Sequence, residues 1–130
     1  MRRRFRTVCA QNSARSQLAA AIWNRRRELP ATSAGTHPAA RVHPGAVTAA
    51  RRHNLHLRAH SPRYLGDVLT AGDLVIAVCD NAHEKLPAEL TRLHWSIADP
   101  TRTERAEAFD AAVSDLTERI HHLVPNLKTA

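Results

Sequence analysis

TVCAQNSARSQLAAAIW, residues 7 to 23, is the stretch on which the reading of the fold turns. A short β-prone run, FRTVC (5–9), ends in a cysteine. SARSQLAAAIWNRRREL (13–29) then reads as a helix with Leu18, Ala21, Ile22 and Trp23 on or near one face. The remainder of the chain repeats this strand-then-helix alternation. ATSAGT (31–36) reads as a second strand ending in glycine, and THPAARVHP (36–44) as a loop. Pro44 suits a first helical position, with GAVTAARRHNL (45–55) continuing the helix, and SPRYLGDVL (61–69) is a brief helix weakened at Gly66. DLVIAVC (73–79) is the clearest strand, a nearly unbroken apolar run of the kind covered on both faces. LHWSI (93–97) is a shorter fourth strand. The last helix, about 103–124, sets Phe109, Val113, Leu116, Ile120 and Leu123 at spacings of three and four. Strands separated by helices predict βαβ units, hence an α/β chain built as a three-layer α/β/α sandwich on a central four-stranded parallel sheet.

With 130 residues the chain is expected to form one domain spanning 1–130. No run of eighteen apolar residues is present, so no membrane span is expected. MRRRFRTVCAQN carries positive charge without an apolar segment behind it, which argues against a secretory signal. Two cysteines without such a signal point to a cytoplasmic protein with free thiols, and a monomer is expected. The net charge of +7 comes from arginines scattered as RRRFR, NRRR and ARRH, with no interleaved aromatics for base stacking. That pattern reads as a solvated surface that concentrates small anions rather than as a nucleic-acid site.

In a parallel α/β sheet the site lies beyond the carboxyl ends of the strands. Cys9, Cys79 and Asp99 all fall on that edge. The residues after Cys9, namely Ala10, Gln11, Asn12, Ser13, Ala14, Arg15 and Ser16, combine a tight loop with a helix start. Such a loop turns backbone N–H groups inward as an anion cradle, and this environment together with Arg15 favours the thiolate of Cys9. Arg15 has the planar fork that clasps two oxygens of a tetrahedral oxyanion. Asn12 tolerates a left-handed backbone, and Ser16 is placed to hydrogen-bond the sulfur.

CAQNSARSQ between strand and helix, then SAGT, then DP after the fourth strand, resembles the low-molecular-weight protein-tyrosine-phosphatase superfamily, whose fold is flavodoxin-like. SAGTHP…VHPGAV, VIAVCDNAHEKLP and HWSIADP are similar to its arsenate-reductase branch, so the resemblance covers nearly the whole chain. It implies that Cys9 is the nucleophile and Arg15 the oxyanion clamp. Asn12, Ser13 and Ser16 would shape the loop and support the thiolate, and Asp99, held by Pro100, would be the general acid. Two chemistries share such a cradle. A phosphatase forms a phosphocysteine that water releases, whereas a reductase forms a cysteine–arsenate adduct whose sulfur a second thiol attacks, expelling arsenite. Phosphatases of this family place aromatic walls after the DP pair, but here the chain runs DPTRTE, which favours a small inorganic oxyanion.

Thioredoxin-coupled reductases of the family carry a further cysteine about seven residues after the one matching Cys79; here that position is Leu86. Cys79 is therefore read either as a resolving thiol or as a small buried hydrophobe closing a core strand. No tightly bound cofactor is expected, the reductant being an external thiol such as mycothiol, glutathione or a thioredoxin-type protein. A dedicated metal site is not expected. His37, His43, His53, His56 and His60 lack a paired ligand spacing, His121 and His122 are adjacent on a helix, and HEKL (83–86) lacks the second histidine of a zinc-protease helix. The non-enzyme alternative is an oxyanion- or nucleic-acid-binding module.

Overall fold

The structure, a computed structural model, describes residues 5–25, 30–57, 61–70 and 72–128, with side chains through Leu123. Four strands, β1 (Phe5–Cys9), β2 (Ala31–Gly35), β3 (Leu74–Ala77) and β4 (Arg92–His94), form one parallel sheet in the order β2-β1-β3-β4. Five helices flank it: α1 (Arg15–Asn24), α2 (Pro44–Arg52), α3 (Leu65–Val68), α4 (Asp80–Lys85) and α5 (Ala106–Lys128). The layers are those of the α/β/α sandwich expected from the alternation of elements. α1, α2 and α5 pack on one another, while α3 packs on β2, and α4 on β1 and β3. The crossover β1–α1–β2 runs one way across the sheet and β3–α4–β4 the other. Right-handed connections therefore set α1 and α4 on opposite faces. The reversal falls between β1 and β3, and their carboxyl ends flank the switch point.

The central strand β1 is unusually polar for its place. All five of its residues are buried, Arg6 and Thr7 included. Burying a guanidinium without a partner would cost several kcal/mol, so its partners explain the sequence. The Nε of Arg6 donates to the Asp73 carboxylate at 2.7 Å, and its Nη1 donates to Thr32 Oγ1 on β2. Thr7 Oγ1 donates to the Ser16 carbonyl at 2.7 Å and so ties the strand to the first turn of α1. The remaining contacts are apolar. Phe5 lies against Trp23 with ring centroids 3.8 Å apart, and Leu18, Ile76, Phe109, Leu116 and Ile120 are fully buried beside them. Each such side chain contributes about 1.5–3 kcal/mol relative to exposure.

Several boundaries differ from the sequence-based expectation. The helix expected over 13–29 begins at Arg15, because Ser13 and Ala14 belong to the preceding loop; residues 26–29 lie outside the described residues. Nor is it one-faced: Ser16 through Trp23 are all buried, since β1, β2, α2 and α5 enclose it. DNAHEK (80–85) forms a helix that was not anticipated, opened by Cys79, whose Sγ accepts from Ala82 N–H at 3.3 Å. The fourth strand is confined to Arg92–His94, and the last helix runs Ala106–Lys128 rather than from 103. His43 caps α2 by accepting the Gly45 N–H on Nδ1 at 2.9 Å, with Pro44 first in the helix as read.

Candidate active site

The loop from Cys9 to Ala14 has every carbonyl engaged on its outside. Thr36 N–H donates to Cys9 O, His37 N–H to Ala10 O, Ala39 N–H to Gln11 O and His43 N–H to Ser13 O, at 2.7–3.2 Å. Gln17 Nε2 donates to Asn12 O at 3.2 Å, and Leu18 N–H to Ala14 O at 2.9 Å. Across a trans peptide the C=O and the following N–H point in opposite directions. With the carbonyls turned out, the N–H groups of residues 10–15 are turned in. The amide of Asn12 shows this directly, donating to Cys9 Sγ at 3.2 Å. The resulting ring of donors at the start of α1 attracts negative charge.

Cys9 sits at the base of this ring, 3 % exposed. Its Sγ is 2.9 Å from Ser16 Oγ, and Asn12 Nδ2 lies 2.8 Å from the same hydroxyl oxygen. An amide nitrogen only donates, so Ser16 accepts from Asn12 and is free to donate its hydrogen to the sulfur. Asn12 holds the loop's left-handed turn at φ 53°. It is fully buried, and its Oδ1 accepts from Arg63 N–H at 3.1 Å.

Arg15 leaves the first position of α1 and reaches the opposite wall, its Nη1 donating to Ile97 O at 2.8 Å and its Nη2 lying 3.8 Å from Asp99 Oδ2. Asp99 begins the turn Pro100–Arg102. Its Oδ1 accepts from Thr101 N–H at 3.0 Å and from Thr101 Oγ1 at 2.6 Å. Partial burial pushes the Asp99 carboxyl up, but the two Thr101 hydrogen bonds and the charges of Arg15 and Arg102 outweigh it and hold the group below the ordinary carboxylate range. Asp80 is also held low, by hydrogen bonds from Ser96 and His94.

One cavity of about 550 Å³ brings these groups together. Cys9, Ala10, Gln11, Ser13, Ala14 and Arg15 line its floor, Asp99, Thr101, Arg102 and Thr103 one wall, and Cys79, Asp80 and Asn81 the other. Asn12 and Ser16 lie behind the floor and face the sulfur rather than the cavity. Both cysteines are free thiols. Among the described residues no group of three or more His, Cys, Asp or Glu side chains is placed to hold a metal, and no helix is long and apolar enough to cross a membrane.

Three supports of this site were missed in the sequence. Gly35 ends β2 so close to the loop that a Cβ there would stand 2.6 Å from Ala10 O and 3.0 Å from Asn12 N. Gln17 buttresses the turn at Asn12, and Thr101 orients Asp99. Only Gly35 left a trace in the sequence, as a glycine where a strand ends.

The profile of the family described as low molecular weight phosphotyrosine protein phosphatase matches residues 4–130. The chain belongs to that family. Within this phosphatase family it is 34% identical over 125 residues to a protein named arsenate reductase from Bacillus licheniformis, covering 87% of this chain and 88% of the relative. An arsenate reductase structure from Archaeoglobus fulgidus superposes with a TM-score of 0.81 at 27% identity, covering 93% of this chain and 98% of the other. The tyrosine phosphatase Wzb from Escherichia coli K30, in complex with sulphate, shares the fold with a TM-score of 0.85. Its identity is 20%, with coverage of 98% and 99%. The fold is thus shared with solved structures named for both activities.

Proposed function

We propose that this member of the phosphatase family is a thiol-dependent arsenate reductase. The observation that carries the proposal is the inward-facing amide ring with the Cys9 sulfur at its base, beneath a rim of Thr101, Arg102 and Thr103 that offers no aromatic wall. Relatives named arsenate reductase support the choice of oxyanion.

In this reading the arsenate oxygens take the hydrogen bonds of the cradle N–H groups and of Arg15, which exchanges its present partners for the anion. The Cys9 thiolate, supported by Ser16 and the Asn12 amide, attacks arsenic as a hydroxide leaves, and Asp99 supplies the proton that makes the leaving group water. An external thiolate then attacks the Cys9 sulfur. A sulfur–sulfur bond forms, the sulfur–arsenic bond breaks, and its electron pair stays on arsenic, which departs as arsenite. A second thiol regenerates Cys9. The tyrosine-phosphatase reading uses the same cradle, with water releasing a phosphocysteine, and the family match favours it as the second candidate.

Supplied with arsenate and a thiol, the protein is expected to release arsenite faster than it hydrolyses p-nitrophenyl phosphate. Rapid aryl-phosphate hydrolysis with no arsenite formed would reverse the assignment. Binding of oxyanions that survives Cys9→Ser, with no turnover by the wild type, would instead point to a binding module.

A further inference from the structure

The cavity above Cys9 is much larger than the ion proposed for its floor. At about 550 Å³ it falls in the range of sites that enclose whole organic ligands, whereas a tetrahedral oxyanion fills only the cradle. The walls above the cradle have a definite chemistry. Asp80 is engaged by His94 Nε2 at 2.8 Å, and Asp99 is engaged by Thr101 and faces Arg15. Asn81, Ser96, Thr101 and Thr103 are neutral and polar.

Arg102 is the exception on these walls. Arg6 is committed to Asp73, Arg52 to Asp110, Arg119 to Asp115, and Arg92 to the carbonyls of His83, Pro87 and Leu90, whereas Arg102 is exposed, as are Arg41 and Arg51, and of these three it is the one that lines the cavity. Among the described residues, nothing lies within hydrogen-bonding or ion-pair distance of the Arg102 guanidinium; only its backbone N–H is bonded, to Asp99 O. It lines the same cavity as Cys9 and Cys79, held on the short turn that follows Asp99. Arg102 is exposed, and Asp99 is the carboxylate whose charge it feels; its planar fork, with no hydrogen bond to give up and a cavity with room to spare, suits a second anion of matching geometry.

We propose that Arg102 anchors a second subsite, which takes the carboxylate of a low-molecular-weight thiol while the thiol sulfur reaches Cys9. The subsite stands on the cavity and on Arg102, and the naming of its occupant as the reducing thiol rests on the reductase reading. The chemistry is that of the reducing step. The bound thiolate forms the sulfur–sulfur bond with Cys9 and arsenic leaves with the electron pair. A second molecule of the same thiol then releases the mixed disulfide, so that two thiols supply the two electrons. The carboxylate selects which thiol does this and takes no part in the electron transfer.

The test compares a carboxylate-bearing thiol, mercaptopropionate, with its neutral counterpart, mercaptoethanol, in the wild type, Arg102→Gln and Arg102→Lys. Arsenite release is followed as a function of thiol concentration. A second arm needs no arsenate: the rate at which dithiodipropionate or bis(hydroxyethyl) disulfide adds to Cys9, read as mass gained by the Cys9 peptide. The wild type should prefer the carboxylate-bearing member of each pair. Arg102→Gln should lower that preference about tenfold, acting on KM for the thiol, and Arg102→Lys should retain part of it as a point charge. An unchanged preference in Arg102→Gln, or equal loss with both members, overturns the subsite even if arsenite is formed. If no arsenite forms but the disulfide preference still depends on Arg102, the subsite holds and the reductase reading fails.

Discussion

Cys9 and Asp99 show how far a side chain's chemistry depends on its immediate partners. The sulfur receives one backbone N–H and is within reach of one hydroxyl hydrogen, both set by Asn12 and Ser16. The Asp99 carboxyl, by contrast, is biased toward its charged form by the Thr101 hydrogen bonds and the charges of Arg15 and Arg102. A general acid must carry a proton, so if Asp99 is the acid, as proposed, its competent form becomes scarcer as pH rises past a value below the ordinary carboxylate range. With aryl phosphate as probe, kcat/KM should therefore fall steadily from about pH 5 to pH 8. Asp99→Asn should lower kcat by about 10²-fold or more and remove that dependence on the carboxyl. A variant with wild-type kcat and an unchanged profile would exclude Asp99 as the acid.

At the level of the elements, β1 holds the centre of the sheet in spite of its sequence. FRTVC is less apolar than DLVIAVC, yet it is flanked by strands on both sides. Arg6 is tolerated there because Asp73, at the entrance of β3, and Thr32, on β2, meet it from the two neighbouring strands. Burial pushes the Asp73 carboxyl up, but hydrogen bonds from Arg6 and Thr70 together with the Arg6 charge bring it below its ordinary value of 3.8. A carboxyl depressed on folding contributes stability that is fully present above its unfolded pKa and lost as pH falls through the folded one. Thermal melts should accordingly show this contribution at neutral pH and its loss below about pH 4. Asp73→Asn should cost about 3–5 kcal/mol at neutral pH, because it leaves a buried guanidinium unpaired, and the variant should show less of the acid-side decline. A loss under 1 kcal/mol at neutral pH would mean that the pair is not stabilising the sheet.

For the molecule as a whole, the sheet order has the largest consequence for the chemistry. Because β3 lies directly beside β1, Val8 pairs with Ala77, and Val78 N–H bonds Val8 O at 2.8 Å. Cys9 and Cys79 therefore leave adjacent strands and line one cavity. Cys79→Ala is expected to leave arsenate-dependent modification of Cys9 intact, to slow turnover with a dithiol reductant, and to matter less with a small monothiol. Wild-type turnover with every reductant would reduce Cys79 to its packing role and its cap on α4.

Much of this was legible in the chain because the determining interactions are local. The strand–loop–helix of residues 5–24, the apolar run of β3, the Pro44 helix start and the period of α5 each follow from neighbours a few residues apart. The cradle sequence was legible in part for the same reason, as a tight loop leading into a helix start, a setting in which backbone N–H groups can converge on an anion. Other features depend on partners far along the chain. The carbonyls of the cradle are held by residues 36–43, its backbone is admitted by the missing Cβ of Gly35, and its buried Asn12 is held in part by Arg63. Arg6 suits the central strand only because Asp73, 67 residues away, stands beside it. DNAHEK is too short to show a helical period, and becomes a helix where it caps against Cys79 and packs on β1 and β3. Which residues could form a cradle is written in local sequence. That Cys79, Asp99 and Arg102 share its cavity is decided by strand order, because only the tertiary fold sets distances between segments that no local interaction links.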